Sequence, residues 1–205
     1  MRNQPVTGYL VIQGRVRLLC KSGQRQRPCS ATVLRAGDIF GADHLFFKEP
    51  LSYFAVAASD CQVASVSLAQ LTDVIGQYPA LRNYWHKQIQ RRAQQIFFKC
   101  FTQLQPLSSK ALSHLLPSRI REHHVGAGVP LRVAITPYEG YFWLRSGVLS
   151  CPTVSEHTVP IGTGWSDRNQ QIAESVAQTP LMIYQLQLQP WETAEMIPVL
   201  AQLDL

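Results

Sequence analysis

The chain is organised around the stretch Gly37-Asp38-Ile39-Phe40-Gly41-Ala42-Asp43-His44-Leu45-Phe46-Phe47, in which glycines and acids lie between apolar runs. The pattern predicts a tight loop that leads into a short helical turn. Gly41 would let the backbone approach a bound group closely, and the free N–H groups at a helix start favour an anion. A turn joining two strands of a β domain would have a similar sequence, so the stretch alone leaves both interpretations open.

Alternation of apolar and polar residues predicts β-strands on both sides of this loop. The first segment is expected to be a β-hairpin that turns at Gln13-Gly14, with Arg15 and Arg17 facing outward. Its inward face is predicted to consist of Leu10, Ile12, Val16, Leu18 and Cys20. Two later strands are expected to pair with each other. The predicted strands are the hairpin Tyr9–Cys20, the single strand Ala31–Leu34, and the pair Tyr53–Ala58 and Gln62–Ser67.

Two helices are predicted to follow these strands. Ser67 is a good N-cap, and apolar residues then recur at helical spacing until Tyr78-Pro79 interrupts them. A second helical pattern, Ala80–Phe98, has a Gln-rich surface and is interpreted as a connector between two domains. It has no recognisable nucleic-acid recognition unit, so a solvated linker helix is favoured. Its basic residues are Arg82, Lys87, Arg91 and Arg92.

The second half of the chain is predicted to contain strand pairs between an opening and a closing helix. Gly126-Ala127-Gly128 is expected to turn between the first two strands. The predicted elements are the helix Leu107–Leu116, the strands Ile120–His124 and Pro130–Val133, the hairpin formed by Tyr141–Leu144 and Val148–Cys151, the strand pair Ala173–Ala177 and Leu181–Leu188, and a helix from Pro190 or Trp191 to Leu203.

Composition is that of an ordinary globular protein, with 46% hydrophobic and 16% charged residues and a net charge of +6. Seven basic residues precede the first acid, Asp38, so the N-terminal end presents either a solvated basic face or a surface for an anionic partner. No apolar run approaches the roughly 18 to 20 residues that span a membrane. A cytoplasmic protein without a membrane span of its own is expected.

Catalytic and metal sites are not predicted. The five cysteines are scattered without a C-x-x-C pair, which argues against a zinc site and a disulfide framework. His123 and His124 are adjacent, so on a strand they point to opposite faces and do not chelate together easily. No G-x-S-x-G elbow or Walker loop is found, so the chain is not expected to be an enzyme or to need a metal.

An internal repeat relates the two halves of the chain. The stretch Gly8–Gly14 is similar to Gly140–Gly147, with an offset of 132 positions (140 − 8). Tyr78–Leu81 is similar to Ile197–Leu200, with an offset of only 119 (198 − 79). The second copy is therefore shorter by about 13 residues in the interval that holds the glycine loop of the first copy. We expect its ligand loop to be reduced or absent.

These segments resemble the cyclic nucleotide-binding domain, the β-roll of catabolite activator proteins and of cAMP-dependent kinase regulatory subunits. The resemblance rests on the order of G-Y-L-V-I-Q-G-R-V, L-R-A-G-D-I-F-G and S-L-A-Q-L-T-D-V-I-G-Q-Y-P-A-L, and it covers about residues 8 to 95. Residues 97 to 203 resemble a more divergent copy. The resemblance implies a mainly β fold with flanking helices (α+β): two tandem cyclic-nucleotide-binding-like β-rolls (jelly rolls) over residues 1–79 and 99–205, joined by the helix 80–98.

The resemblance also implies a phosphate-binding cassette. In the family it reads roughly F-G-E-x-x-L followed by R-x-A, with the glutamate on the ribose hydroxyl and the arginine on the cyclic phosphate. Here Ala42 stands in the place of the glutamate and Ser52 in that of the arginine. An Arg–phosphate bond contributes on the order of 1.5–3 kcal/mol, so its loss implies roughly ten- to a hundredfold weaker binding. The expected remnant of the ligand site is Phe40, Gly41, Ala42, Asp43, His44, Ser52 and Tyr53.

Neighbouring residues offer substitutes for the missing charges. Asp43 lies one residue late for the ribose role, and Lys48 or Arg35 could supply a cation. In the second copy the nearest counterpart of the loop is Gly164–Asp167, which has neither charged anchor. No cofactor is therefore expected, with cAMP, cGMP or another small anion as the alternative ligand.

Two functions follow from the resemblance. The first is a non-catalytic regulatory or sensor module whose loop, once liganded, shifts the helix Ala80–Phe98 and signals to an attached or partner effector. The second is a purely structural protein-interaction module that binds no nucleotide. Paired degenerate rolls resemble the regulatory part of some bacterial ABC exporters, which would make the effector a dimeric membrane exporter.

The first roll is expected to be incomplete. Only eight residues precede Tyr9, whereas the family places a helix and two strands there, so a fragment or a mis-assigned start is expected. An opened roll exposes strand edges. Self-association of the isolated chain, as aggregates or as a homodimer, is the expected consequence.

Overall fold

A computed structural model describes residues 7–21, 28–116, 119–135, 140–151, 158–167 and 169–187. The chain divides into two compact units, Met1–Ile96 (unit one) and Phe97–Leu205 (unit two). Each unit contains antiparallel sheets with flanking helices. The predicted mainly β fold with flanking helices is confirmed.

Unit one contains two three-stranded antiparallel sheets, with strand orders β4-β1-β6 and β3-β2-β5. β1 is the centre of the first sheet and β2 is the centre of the second. The strands are β1 Thr7–Gln13, β2 Val16–Cys20, β3 Cys29–Leu34, β4 Ile39–Phe40, β5 Phe54–Ala57 and β6 Gln62–Ser67.

The predicted hairpin and strand pair of unit one are wrong, although their strands lie where predicted. β1 pairs with β4 and β6, whereas β2 pairs with β3 and β5, so consecutive strands belong to different sheets. Between them Gly14 has φ +84°, and a Cβ on it would lie 2.0 Å from the carbonyl oxygen of Asp60. This glycine lets the chain turn a corner from one sheet to the other, and β5 and β6 are divided in the same way.

The prediction of which residues face inward is correct for β2 and wrong in part for β1. In β2, Val16 and Leu18 are buried and Arg17 is exposed, as expected. In β1, however, Val11 is buried and Ile12 is 50% exposed, so the inward position predicted for Ile12 is wrong. The pairing of β1 with β6 shifts register between Val11 and Gln13, and such a bulge breaks the alternation on which the prediction relied.

Two helices follow the sheets, α1 at Leu68–Gln77 and α2 at Pro79–Phe101. Ser67 caps α1 as predicted, because its hydroxyl accepts the Gln70 N–H at 3.3 Å and the Gln70 side chain accepts the Ser67 N–H at 3.3 Å. Pro79 suits the first turn of a helix, where its missing N–H has no intrahelical partner. α2 is thus continuous and extends slightly beyond the predicted range at both ends.

The core of unit one joins the loop to both helices. Six buried residues form it, and half-buried Phe46 and Phe47 of the loop pack against them. The loop is therefore part of the packed structure rather than a free surface segment. The six residues are Ile39, Ala42, Leu71, Ile75, Trp85 and Ile89.

Unit two contains a four-stranded antiparallel sheet, β10-β8-β12-β7, and a two-stranded one, β11-β9. Its core includes large aromatic side chains, and the Phe98 and Trp143 rings meet edge to face at 5.1 Å. The elements are α3 Ser109–Leu115, β7 Ile120–Val125, α4 Leu131–Ile135, β8 Tyr141–Ser146, β9 Leu149–Ser150, β10 Gly164–Ser166, α5 Gln170–Ala173, β11 Val176–Ala177 and β12 Leu181–Leu186.

Several predictions for unit two are corrected. Pro130–Val133 is not a strand, because Leu131 and Ile135 are both buried at the i, i+4 spacing of the helix α4. The predicted hairpin of β8 with β9 and the predicted pair of β11 with β12 are also wrong, since each pair is divided between the two sheets. The start of the predicted strand at Ala173 is the end of α5. The predicted helix after Pro190 lies outside the described residues.

Among the residues that the structure describes, no helix is long and apolar enough to cross a membrane.

Candidate ligand-binding loop

The stretch between Gly37 and Phe47 (loop 37–47) is a tight loop that enters a short helical turn, as predicted. It continues from β4 through Gly41, which has φ +80°, into a 3-10 turn at Asp43–Leu45. A Cβ on Gly41 would lie 3.1 Å from the Thr7 carbonyl oxygen and 3.2 Å from the Tyr9 ring. The positive φ therefore favours glycine here, and a side chain would also crowd Thr7 and Tyr9.

The carboxylate of Asp43 is buried and bonded on both oxygens. Its Oδ1 accepts a hydrogen bond from Nη2 of Arg92 at 2.7 Å, and its Oδ2 accepts one from the hydroxyl of Tyr53. The Tyr53 oxygen in turn accepts the Gly41 N–H at 2.8 Å. These contacts form a polar network inside unit one, which we call the Asp43 network, composed of Gly41, Asp43, Tyr53 and Arg92.

Arg92 reaches this network from the middle of α2. Arg92 is only 5% exposed. Its Nη1 donates a hydrogen bond to the Ile39 carbonyl oxygen, and its guanidinium lies 5.8 Å from the centroid of the Tyr53 ring. A buried guanidinium is stable only when it is paired and hydrogen-bonded. Asp43 provides that partner, so the loop and the helix depend on each other.

The interpretation of Arg92 as part of a solvated basic surface is wrong. A sequence signal for its burial exists, because Arg92 follows Trp85 by seven residues and Ile89 by three, which is the spacing of one helix face. Trp85 and Ile89 are both core residues. Arg82, Lys87 and Arg91 are exposed, as expected.

Tyr53 is held in its protonated form by its surroundings. Burial raises the pKa of Tyr53 well above the ordinary value of 10.0, and the carboxylate of Asp43 raises this pKa further, while Arg92 opposes the shift. The phenol therefore keeps its proton at neutral pH and donates it to Asp43. The network consequently contains one carboxylate and one guanidinium, with Tyr53 neutral.

Aromatic contacts add a second connection between loop 37–47 and α2. The Phe47 and His86 rings are stacked with centroids 5.3 Å apart and planes 22° apart, and Phe46 lies 6.3 Å from the same ring. His86 is adjacent to Trp85, which packs in the core beside the loop. The loop therefore contacts α2 through stacked rings as well as through the ion pair.

The structure brings together some of the predicted site residues and separates others. Gly41, Asp43 and Tyr53 meet in the Asp43 network, and Phe40 leads into it with its ring stacked on Tyr9 at 5.1 Å. Ala42 lies in the apolar core, whereas Ser52 is exposed and His44 is half-buried in the 3-10 turn. The two positions that hold charged anchors in the family are thus a core methyl group and a surface hydroxyl.

The cation at the loop was missed by the sequence analysis. Lys48 and Arg35, the candidates near the loop in sequence, are exposed, and Arg92 takes the place beside Asp43 instead. Arg92 lies 49 positions from Asp43 in sequence, so the pairing depends on how α2 packs. The ligand-binding role of the predicted site residues stays a prediction.

The predicted counterpart of the loop in unit two is part of a strand. Gly164–Ser166 forms β10, and Trp165 is buried with its ring stacked on Phe142 at 6.1 Å. Asp167 follows, and its carboxylate accepts the Gly140 N–H at 3.3 Å. This segment is packed as core and sheet rather than as a binding loop.

Other candidate groups have structural partners. Nε2 of His123 lies 2.7 Å from Oε1 of Gln185 on the neighbouring strand β12. The five cysteines, all within the described residues, form no disulfide with one another. Within the described part of the chain, no group of three or more His, Cys, Asp or Glu side chains is arranged to hold a metal ion.

Residues 2–78 match the family model of the cyclic nucleotide-binding domain. No curated protein matches the chain significantly. Among solved structures, the c-di-GMP responsive regulator CLP of Xanthomonas campestris is 18% identical, with 45% of this chain and 47% of that chain covered and a TM-score of 0.39. The catabolite activator protein of Thermus thermophilus is 23% identical, with 44% and 42% covered and a TM-score of 0.37.

A longer alignment is found with the regulatory subunit of a cAMP-independent protein kinase A from Trypanosoma brucei, a mutant form bound to cAMP. It is 14% identical and covers 96% of this chain and 72% of that chain, with a TM-score of 0.40. The matches to the two bacterial regulators span less than half of their lengths.

The family match extends over both sheets of unit one, loop 37–47 and α1. These are the elements whose order the resemblance of the sequence predicted. The segment from residue 2 to residue 78 is therefore cyclic-nucleotide-binding-domain-like, with the β-roll fold of that family.

Proposed function

We propose that unit one is a non-catalytic regulatory module in which loop 37–47 and α2 change state together, and that an attached or partner effector responds to this state. The observation that carries the proposal is the buried ion pair between Asp43 of the loop and Arg92 of α2. The match to a regulatory type of domain supports it.

The ion pair makes independent movement of the loop unfavourable. If the loop moved away, Arg92 would remain buried without its carboxylate, at a cost of about 3–5 kcal/mol. The stacking of Phe47 on His86 would be lost at the same time. A change in the loop is therefore transmitted to α2, which is the kind of coupling that a helix-shifting switch requires.

Ordinary binding of cAMP or cGMP is not part of the proposal. Ala42 and Ser52 replace the two charged anchors, and Arg92 is already bonded to Asp43. A cyclic phosphate would have to displace a carboxylate of the same chain from a buried guanidinium. The negative charge of a ligand would therefore add little binding free energy, because it would replace a partner of equal charge.

We also propose that the two units are tandem copies of one β-roll, with boundaries near residues 79 and 99. In support, β1 lies between β4 and β6 in unit one, and β8 lies between β10 and β12 in unit two. In both units the next strand along the chain belongs to the other sheet. An effector such as a bacterial ABC exporter, and a cytoplasmic location, remain predictions.

The coupling is tested by hydrogen exchange of the full chain carrying Asp43→Asn. Removal of the charge is expected to speed exchange at least about tenfold both in loop 37–47 and in α2 around Arg92. Asp73→Asn, which removes the same charge from the exposed face of α1, is the control and should change neither segment. Faster exchange in the loop with an unchanged α2 would contradict the coupling.

The second candidate is a purely structural module, and the replacement of the two charged anchors by Ala42 and Ser52 is the observation that favours it. In that case the network only stabilises the fold. No small anion at millimolar concentration would then alter exchange in the loop or in α2. The regulatory module requires a partner or ligand that changes both segments together.

A further inference from the structure

Two cysteines lie directly opposite each other in the second sheet of unit one. β2 ends at Cys20 and β3 begins at Cys29, and the antiparallel pairing of these strands makes the two residues Cα partners. The three other cysteines lie outside the paired strands, since Cys61 precedes β6, Cys100 lies in α2 and Cys151 follows β9. The strand register thus singles out Cys20 and Cys29, which we call the cysteine pair.

The spacing of opposite residues in an antiparallel sheet suits a disulfide. Their Cα atoms lie about 5.5 Å apart in a hydrogen-bonded pair and about 4.5 Å apart in a non-hydrogen-bonded pair. Disulfides span Cα separations of about 4.4–6.8 Å, so both kinds of pair fall within this range. The Cβ atoms of opposite residues need to approach by about 1 Å. A small movement at the cysteine pair is therefore sufficient to join the two sulfur atoms.

The cysteine pair lies where such a movement disturbs little else. It is the last pair of the ladder between β2 and β3. The pairing of β2 with β5 ends one residue earlier, at Leu19 opposite Phe54. The end of β2 and the start of β3 can therefore approach each other without displacing β5.

The two cysteines differ in their exposure to solvent. Cys20 is 0% exposed, whereas Cys29 is half-buried. Because the two residues are directly opposite, their side chains lie on the same face of the sheet, and buried Leu18 lies on this face as well. A reagent from solvent therefore reaches Cys29 first, and Cys20 is reached through Cys29.

We propose that the cysteine pair is a thiol–disulfide exchange site, which a small-molecule disulfide oxidises to a Cys20–Cys29 cross-link. Cys29 attacks one sulfur of the incoming disulfide, so that a mixed disulfide forms on Cys29 and one small-molecule thiolate leaves. Cys20 then attacks Sγ of Cys29, which forms the cross-strand bond and releases the second thiolate. The two thiols of the chain lose two electrons to the incoming disulfide, and their protons pass to the two thiolates that leave.

The cross-link fixes β3 to the central strand of its sheet. β3 lies at one end of the strand order β3-β2-β5, and the bond joins its first residue to the last residue of β2. It also closes residues 21–28 into a ring, which restricts the unfolded chain. Oxidation is therefore expected to stabilise this sheet, and reduction is expected to release it. The Asp43 network includes neither cysteine, so failure of the coupling between loop 37–47 and α2 would leave the cysteine pair unaffected.

The cross-link is detected in the full chain after treatment with millimolar glutathione disulfide and alkylation of the remaining thiols. Trypsin cuts after Lys21 and Arg25, between the two cysteines, so the disulfide joins the peptides 18–21 and 26–35. Mass spectrometry should find this linked pair of peptides, and dithiothreitol should separate it. In a mixture of isotope-labelled and unlabelled chains, both linked peptides should carry the same label, because the bond forms within one chain.

The contribution of the strand register is measured in one glutathione redox buffer with the folded chain and with the chain unfolded in urea. The sheet holds the two cysteines opposite each other only in the folded chain. The equilibrium constant for the cross-link should therefore be at least about tenfold higher in the folded chain than in urea.

Variants separate the two steps of the exchange. Cys20→Ala lacks the second thiol, so the reaction should stop at a mixed disulfide of Cys29 with one glutathione. Cys29→Ser should form no cross-link, and Cys20 should stay unmodified in the folded chain because it is buried. Cys61→Ser, at another half-buried cysteine, is the matched control and should leave the yield of cross-link unchanged. In the original chain, oxidation should slow hydrogen exchange of β3 at least about tenfold and leave β12 unchanged.

Four results would overturn the proposal. They are absence of the linked peptides after treatment with glutathione disulfide, linked peptides that carry different labels, equal equilibrium constants in the folded and the unfolded chain, and a loss of cross-link in Cys61→Ser as large as that in Cys29→Ser. The second result would show that the cysteines react between chains rather than across the two strands.

Discussion

The strands β6 and β12 both pair with the central strand of their sheet, but their surroundings differ. β12 lies between β8 and β7, and five of its six residues are buried. None of the six residues of β6 is buried. Unit two thus concentrates its stability in a buried aromatic core, whereas unit one relies more on the contacts of loop 37–47 with its helices. Regions with few buried apolar contacts open more easily, so we expect unit one to be the responsive part.

The largest loss of stability is expected from a change in the Asp43 network. Arg92→Met should lower the free energy of unfolding of unit one by about 3–5 kcal/mol, because it leaves the buried carboxylate of Asp43 without its charge partner. Arg91→Met, at the exposed neighbouring position, should cost less than about 0.5 kcal/mol. Native-state hydrogen exchange measures both. Equal costs for the two variants would show that the ion pair stabilises nothing.

The next effect tests the buried core of unit two. Ile183→Ala removes a fully buried side chain from the centre of β12 and should destabilise unit two by about 2–5 kcal/mol. Denaturant unfolding followed by tryptophan fluorescence reports it, since Trp143 and Trp165 are buried in this unit. A cost below about 1 kcal/mol would mean that unit two is loosely packed.

A pH dependence reports on the interior of unit two. Burial raises the pKa of Tyr184 in unit two to about 12, with Glu122 adding to the shift and Arg145 opposing it. Since the ordinary pKa of 10.0 applies in the unfolded chain, the neutral phenol stabilises the fold below pH 10, and this contribution is lost as pH rises towards 12.

Unit two should therefore lose about 2–3 kcal/mol between pH 10 and pH 12 through Tyr184. Tyr184→Phe cannot ionise and should remove that part of the loss, as measured by denaturant unfolding across this range. An identical pH profile for the variant and the original chain would contradict the assigned burial of the phenol.

The smallest effect is expected on β6. Val63→Ala should lower the free energy of unfolding by less than about 1 kcal/mol, because Val63 is already 44% exposed and the substitution removes little buried apolar area. The same measurement as for Ile183→Ala applies. A cost as large as that of Ile183→Ala would show that β6 is covered in solution, and the contrast between the two strands would disappear.

Local features were predictable from the sequence because their causes lie within a few residues. The capping of α1 by Ser67 needs only Gln70, and the turn at Gly41 needs only a glycine at positive φ. The strand positions followed from alternation. The family resemblance then gave the fold of unit one, which the family match confirms.

Long-range features were not predictable in the same way. Strand pairing is set by distant partners, so β1 and β2 were expected to pair although each is the centre of a separate sheet. Pro130–Val133 was interpreted as a strand, although the i, i+4 spacing of Leu131 and Ile135 buries both on one helix face. Arg92 could be placed on the apolar face of α2 by spacing, but its partner Asp43 required the packed structure.

The central claim is that Asp43, rather than a nucleotide, satisfies the buried cation at loop 37–47. It is tested most directly by calorimetric titration of the full chain with cAMP and with cGMP. We predict no saturable heat in the low micromolar range for either nucleotide, because Arg92 is already paired and the two charged anchors are absent. Binding at one site with a low micromolar dissociation constant would contradict the claim.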